Sequence, residues 1–411
     1  MTGTEPSTTA PRILVSGGGI AGLALALQLV RAGRAVTVVE RAPAPRSGGQ
    51  AVDLRGASHE VARRMGLLSG IHPRRLDERG IAYVDGRGRI TGRLSMEAFD
   101  GKGPVAEVEI SRGDLNEVLL DELAAAAAAR PGLLEHRYGD HLASLAQDDS
   151  GVDAVFASGR TERYAVAIGA DGVHSATRRL AFAPEAEVST YLGGYIAFFT
   201  MPTPADVQPG WFSMRVVPGA AIGIRPTGDP AVSMALITLR TEHDPALRGD
   251  RAAQQALVRR MIAGAGWHAA TILETMEGAA DFYFDELDRV DLDSPVDGRI
   301  GLVGDAASCG SPLSGMGTAT ALIGAYLLAA ELVADPVDPV AALRRYAAAL
   351  APFAEAGKVL PGGGIGFMVP ANRFAAIASQ ATMGIMLTRP FLPLMRKMYL
   401  AGRPVDPALP A

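Results

Sequence analysis

Hydrophobic residues run along this chain in short blocks bounded by glycine, and their order predicts strands alternating with helices. Arg12-Ile13-Leu14-Val15-Ser16 is an apolar run of strand length. Gly17-Gly18-Gly19-Ile20-Ala21-Gly22 follows, then an apolar helix from Leu23 to Ala32 that stops at Gly33. Val36-Thr37-Val38-Val39 makes a second strand with Glu40 at its end. A similar run, Tyr164 to Ala170, ends in Asp171-Gly172 and leads to a cationic helix start at Ala176-Thr177-Arg178-Arg179. A third, Gly301-Leu302-Val303-Gly304, ends in Asp305. A glycine-rich turn through Pro312, Gly315 and Gly317 then opens an apolar helix at about Thr318.

Between these blocks the pattern changes to alternation. Ile81 to Ile90 reads as a hairpin on an Asp85-Gly86 turn. Thr190 to Arg240 is rich in β-branched and aromatic residues and is broken at Pro202, Pro209, Pro218 and Thr227-Gly228-Asp229-Pro230. A helical stretch follows from Arg251 to Met276, then a strand from Asp281 to Asp288. Ala124 to Ala129 is a low-complexity helix interior. Pro361-Gly362-Gly363-Gly364-Ile365-Gly366 repeats the look of the first glycine run, but no strand precedes it and Pro361 breaks the chain. It links to a final helix, Arg373 to Met386, whose Phe374, Ile377, Met383 and Ile385 are placed to bridge two domains or close a pocket.

The first block has the strand–turn–helix–strand context that gives Gly-x-Gly-x-x-Gly a meaning. Gly17 permits the tight turn, Gly19 lets the backbone approach a pyrophosphate, and Gly22 lets helix and sheet pack closely. Glu40 stands near the roughly 20-residue offset at which a carboxylate accepts bonds from ribose hydroxyls. It would repel a 2′-phosphate at that site. Either NAD or FAD satisfies these residues. In the third block, Asp305 offers a carboxylate to a sugar-like hydroxyl, and the helix start beyond Gly315 offers N–H groups to developing negative charge.

Composition narrows the classes. The 411 residues exceed one minimal core, so one large or two interlocked domains are expected. A 48% hydrophobic and 20% charged content is that of a globular protein, and a net charge of −5 gives no reason to expect a nucleic-acid partner. Cys309 is the only cysteine, which excludes an internal disulfide and a thiolate metal cluster. The seven histidines show no ligand spacing, so no metal is expected. Met1 to Pro11 lacks the charged start and apolar core of a signal peptide. The longest apolar stretch, Ala319 to Ala334, is shorter than the roughly 20 residues of a membrane span. A cytoplasmic location, and a monomer or homodimer, are expected.

Taken together, the three glycine segments resemble the motif set of the single-component FAD-dependent aromatic hydroxylases, flavoprotein monooxygenases of the p-hydroxybenzoate hydroxylase type. The resemblance runs from about residue 11 to 345. Gly48-Gly49-Gln50-Ala51-Val52-Asp53-Leu54-Arg55-Gly56, Ala62 to Leu68, and Glu109-Ile110-Ser111-Arg112-Gly113-Asp114-Leu115 look like the branch containing the tetracycline-inactivating monooxygenases. The fold implied is α/β: a Rossmann-like FAD-binding domain (11–75, 105–185 and 286–345), an interleaved β-sheet substrate domain (76–104 and 186–285) and a C-terminal helical segment (346–411).

The resemblance also implies roles. FAD would lie along Gly17, Gly19, Ile20, Ala21 and Gly22, with Glu40 on the adenosine ribose and Arg41 along the adenosine and pyrophosphate. Arg112 would reach FAD from the helix start near Asp114. Asp305 would bind the ribityl and pyrophosphate region, and Pro312, Gly315, Met316 and Gly317 would border the flavin pyrimidine. Asp171 either touches cofactor directly or shapes its turn. Many relatives carry asparagine where this chain has Ala319, so that contact to flavin is missing or supplied elsewhere. NAD(P)H would visit transiently, since no second glycine fingerprint follows a strand. O₂ would form a flavin C4a-hydroperoxide, and one oxygen atom would pass to substrate.

For the substrate side, alternation on strands expected to cover the flavin selects Tyr195, Ala197, Phe199, Trp211, Met214, Arg215 and Gly223. Ala197 and the region around Ala220 fall where the tetracycline-inactivating enzymes place polar drug-binding side chains. A hydrophobic, aromatic or polycyclic small molecule is therefore expected in preference to tetracycline. No nucleophilic triad is visible, and His59, His72 and His174 are assigned no general-base role. The rival readings are a flavin dehydrogenase or reductase of the same fold and a non-catalytic flavoprotein that sequesters an apolar ligand. A halogenase is disfavoured because Trp211 and Trp267 stand far apart and lysine is scarce.

Overall fold

The computed structural model describes residues 12–45, 48–96, 108–360, 362, 364–386, 390–391 and 407–409. The first apolar run is the strand Ile13–Ser16, at the middle of a six-stranded sheet. Val36–Glu40 and Leu134–Tyr138 lie on one side of it; Val166–Gly169, Ile300–Leu302 and Val296–Asp297 lie on the other. All neighbours are parallel except the short edge strand Val296–Asp297. Such a sheet needs cover on both faces, which explains why its strands read as continuous apolar runs. The helix Ile20–Arg31 begins three residues before the expected Leu23, directly after Gly19.

One face is packed by the helices Ile20–Arg31, Arg112–Ala129 and Gly317–Ala334 in a single apolar cluster. By length and composition Gly317–Ala334 could cross a bilayer, yet 61% of it is buried inside the structure, against Ile20–Arg31 and Pro339–Gly357. The alanine run Ala124 to Ala129 forms the C-terminal end of Arg112–Ala129 rather than a helix interior. Tyr164 closes the strand Thr161–Tyr164 of a separate three-stranded sheet, so the parallel strand is only Val166–Gly169.

The alternating segments build a seven-stranded sheet. Its order is Tyr283–Val290, Ser189–Pro202, Val232–Arg240, Ala220–Pro226, Trp211–Val217, Gly80–Val84, Ile90–Ser95. Of the breaks expected between 190 and 240, Pro209, Pro218 and Thr227 to Pro230 fall between strands, while Pro202 is the last residue of the strand Ser189–Pro202. The helical stretch Arg251 to Met276 is two helices, Arg251–Ile262 and Ala269–Gly278, separated around Gly264 and Gly266; Gly266 holds φ +71° where a Cβ would meet the Gly86 carbonyl at 2.7 Å.

Those two helices cover one face of the sheet, and they overturn part of the substrate assignment. Tyr195, Ala197 and Phe199 are fully buried against Leu257, Val258, Ile262, Ile272 and Met276. They are core, not pocket. Arg215 shares that side, its Nε donating to the Ala265 carbonyl at 3.4 Å, and so does Trp211 by alternation, its ring under the Arg93 guanidinium at 5.0 Å. Both faces of this sheet are apolar, so periodicity alone could not say which one faces the helices. The opposite face carries Ile196, Phe198, Leu236, Ala221, Gly223, Phe212, Met214 and Val216. Of the seven expected residues, Met214 and Gly223 lie there, paired across neighbouring strands.

A buried ion cluster fixes this face to the rest of the chain. Arg225 donates to Glu78 Oε2 at 2.7 Å, to Glu109 Oε2, and to the Ala51 carbonyl at 3.4 Å. Glu109 and Ala51 belong to the paired strands Ala51–Leu54 and Val108–Ser111, which lead to Arg112.

The final helix is Arg373–Met386, as the pattern predicts, lying against Ile90–Ser95 and Trp211–Val217. Phe374 and Ile377 do not bridge or close anything: they are 86% and 64% exposed, while Ala376 is buried. The side chains of Met383 and Ile385 lie outside the described residues. Phe199→Ala should cost about 3–5 kcal/mol of stability, as for other large core truncations. Denaturant unfolding measures it, and a change confined to ligand affinity would contradict the core placement.

Candidate functional site

Three strands of the parallel sheet end together at Ser16, Gly169 and Leu302, and their loops form one cradle. The general rule for such sheets places ligands beyond these carboxyl ends. Gly17 has φ +115°, and a Cβ there would sit 2.3 Å from the Ala170 carbonyl oxygen. A Cβ at Gly22 would meet the Gly17 oxygen at 1.9 Å. Gly304 turns at φ +65°, where a Cβ would meet Ala21 at 2.9 Å. At Gly19, Gly172 and Gly315, by contrast, a Cβ would meet nothing within 4 Å. Gly17 and Gly22 pack against backbone and Gly304 against the Ala21 methyl group; the second set borders open space.

The open space faces uncapped helix starts. Neither Ile20–Arg31 nor Gly317–Ala334 has a side-chain cap or an acidic residue in its first turn. Their leading N–H groups are therefore free to meet an anion. Glu40 stands beside the first of them, Oε2 accepting from Gly18 N at 2.8 Å and Oε1 from Ala42 N at 2.7 Å. Arg41, next along, is exposed.

Arg112 is the first residue of the helix capped by Ser111, whose Oγ accepts from Asp114 N at 3.0 Å. Its side chain lies close to Gly49 and is electrostatically coupled to Asp305. Burial raises the Asp305 pKa above the ordinary carboxylate value, against the opposing charge of Arg112. Gly317 is glycine beside this carboxylate, a Cβ there reaching Asp305 Oδ1 at 3.4 Å. Pro312 opens a short 3₁₀ turn ending at Gly315, and Met316 precedes the helix. Leu313 on that turn packs with Ile196, Ala221 and Leu287 of the large sheet. The third segment thus meets the sheet face that carries Phe198, Met214 and Gly223. Ala319 is buried in the helix core and presents no polar atom.

Asp171 spends its carboxylate on its own turn. Oδ2 accepts from Thr177 N and Oγ1, both at 2.9 Å, and Oδ1 accepts from Ser175 Oγ. Of the two roles left open for it, the turn-shaping one is the role these bonds display. In the sequence Arg178 is one residue of a cationic helix start. It is fully buried and donates to the Val173 carbonyl and, at 3.1 Å, to the Ala306 carbonyl, tying the second segment to the third.

A family described as an FAD binding domain matches residues 11–356. The chain belongs to the flavin-dependent monooxygenases. A flavin-dependent monooxygenase of Legionella longbeachae is 34% identical over 348 residues, covering 84% of this chain and 87% of the relative. A protein of Mycobacterium tuberculosis is 36% identical over 377 residues, covering 90% and 98%. The crystal structure of tetracycline destructase Tet(51) superposes with a TM-score of 0.76 at 30% identity, covering 97% of this chain and 98% of that one.

The residues of this monooxygenase fit FAD: two uncapped helix starts border open glycine space, with Glu40, Arg112 and Asp305 around it. A second device lies at the cradle's edge. His174 Nε2 bonds Asp285 at 2.9 Å and Nδ1 bonds Glu185 at 2.7 Å, and these two carboxylates raise its pKa from 6.5 to about 9. Arg248 and Arg179 also reach Glu185. No spacing in the chain signals this cluster, which joins the turn at His174 to a strand residue 111 positions further on.

Two expectations follow. Asp305→Ala should weaken FAD affinity by roughly 10- to 100-fold, the scale of a charge-assisted hydrogen bond; fluorescence titration of apoprotein reads it, and unchanged affinity removes Asp305 from the site. The His174 contribution to stability is complete below pH 6.5 and lost as pH rises through about 9, because the folded-state pKa is the raised one. The gap in thermal midpoint between wild type and His174→Gln should therefore close above pH 9, and a pH-independent gap would contradict the ionised bridge.

Proposed function

We propose that this monooxygenase takes electrons from NAD(P)H and inserts one atom of O₂ into a hydrophobic, aromatic or polycyclic small molecule, the second atom leaving as water. The observation that carries this reading is the apolar sheet face set against the third glycine segment. Phe212, Met214, Leu236 and Phe198 offer a flat wall. Gly223 lets the Phe212 ring lie flat on the strand: a Cβ there would collide with that ring at 2.4 Å. Bound FAD supplies hydride acceptance and oxygen activation.

The chain's own residues have three tasks. The helix start at Gly317, with Gly315 and Met316 before it, stabilises negative charge on the ring held beside it. Asp305 and Arg112 fix the polar part of the cofactor. The sheet face orients an apolar substrate and excludes water from the reacting atoms. That Tet(51) is a tetracycline destructase supports a polycyclic substrate class, while the apolar wall here favours one with fewer polar groups than tetracycline.

The test is a screen of aromatic and polycyclic compounds against FAD-loaded protein. Active compounds should stimulate NADH or NADPH oxidation, and the product should gain one isotopically labelled oxygen from labelled O₂. Full product yield without O₂ would instead make the protein a dehydrogenase, and ligand binding with no stimulated oxidation would make it a sequestering flavoprotein.

A further inference from the structure

Tyr283 stands on the same sheet face, two residues before Asp285 on one strand, so both side chains point to the same side. Its ring stacks on Phe198, with centroids 4.6 Å apart and planes 22° from parallel. Its row continues across the sheet through Phe198, Leu236, Gly223 and Met214, all apolar. The Tyr283 hydroxyl donates to Asp285 Oδ2 at 2.5 Å, and Asp285 Oδ1 is held by His174 Nε2 at 2.9 Å. His174 is anchored in turn by Glu185 at 2.7 Å. The chain of bonds thus runs from the second glycine segment to the Tyr283 phenol, in a row that continues through Phe198, Leu236, Gly223 and Met214 to Tyr83 at its far end. Tyr283 also lies within electrostatic range of Arg112 and Asp305.

The protonation states fix what this phenol can do. Burial and the neighbouring carboxylate raise the Tyr283 pKa, so it is neutral with one O–H. Burial opposes ionisation of Asp285, but the bond and charge of His174, with the bonds from Tyr283 and the Glu286 N–H, together outweigh it and hold the pKa below the ordinary value, so Asp285 is an acceptor. The one donor of Tyr283 is committed, and its oxygen lone pairs remain.

We propose that Tyr283 is a ligand-positioning residue whose phenolic oxygen accepts a hydrogen bond from an O–H group of a molecule bound between the sheet face and the third glycine segment. This rests on the reading of that cleft as the flavin and substrate chamber. Two molecules there can supply the hydroxyl: FAD through its ribityl chain, or a hydroxylated aromatic substrate. Asp285 and His174 act through Tyr283, by holding its proton away from the ligand.

Two binding measurements test it, neither requiring turnover. Apoprotein of wild type, Tyr283→Phe and Asp285→Asn is titrated with FAD by fluorescence. The FAD-loaded proteins are titrated with 1-naphthol and with 1-methoxynaphthalene, read as perturbation of the flavin spectrum. A loss of about fivefold in the variants, the scale of one neutral hydrogen bond, is expected in one arm. Loss in the FAD arm identifies the ribityl hydroxyl; loss for 1-naphthol but not for its methyl ether identifies the substrate. Unchanged FAD affinity, together with 1-naphthol that binds all proteins alike or binds none, overturns the proposal. Absence of O₂-dependent turnover would count against the oxygenase reading alone.

Discussion

Everything at the cradle depends on backbone meeting backbone without a side chain between. Gly17 lies against the Ala170 carbonyl and Gly22 against the Gly17 carbonyl, while Gly304 packs on the Ala21 methyl group. These approaches draw three strand ends, separated by well over a hundred residues, into one surface. A single methyl group at Gly17 or Gly22 would force them apart, since neither neighbour is a flexible tip. Arg178 completes the junction from the other side by bonding the carbonyls of Val173 and Ala306. The polar groups of the site are then carried on short loops that have little freedom of their own.

The large sheet solves a different problem. It buries one face under two helices, and its other face is apolar as well. The row through Tyr195, Ala197 and Phe199 lies under the helices, and Ile196 on the other face packs with Ala221, Leu287, Ile365 and Val369. Leu313 shows how the two units meet, because it leaves the third glycine segment to pack on the sheet. The Arg225 cluster with Glu78 and Glu109 holds the same contact by charge, where breaking one partner would strand another in the interior.

The sequence is most legible where backbone geometry dictates residue type. The Gly-x-Gly-x-x-Gly turn, the strand ending at Glu40 and the glycine-flanked helix start near Gly317 each need glycine or a carboxylate at one position. The strands from 189 to 240 were equally legible, because proline and Gly-Asp-Pro breaks delimit them. Which face of those strands packs under helices was not, since Tyr195 and Phe198 are both aromatic and only the helices 251–262 and 269–278 distinguish them. The His174, Glu185, Asp285 and Tyr283 chain was illegible for another reason: its members come from separate elements and carry no shared spacing. Asp171 and Arg178 were visible as residues, but their partners on Thr177 and Ala306 follow from tertiary packing.

Glu40 illustrates what such packing does for recognition. Both of its oxygens are already engaged by the N–H groups of Gly18 and Ala42, so its rotamer is fixed before any ligand arrives. A carboxylate offers about four acceptor positions, which leaves some facing outward. A free glutamate would have to give up roughly 1.5–2 kcal/mol of side-chain entropy on capturing a hydroxyl. Here that ordering belongs to folding, and the association step is spared it.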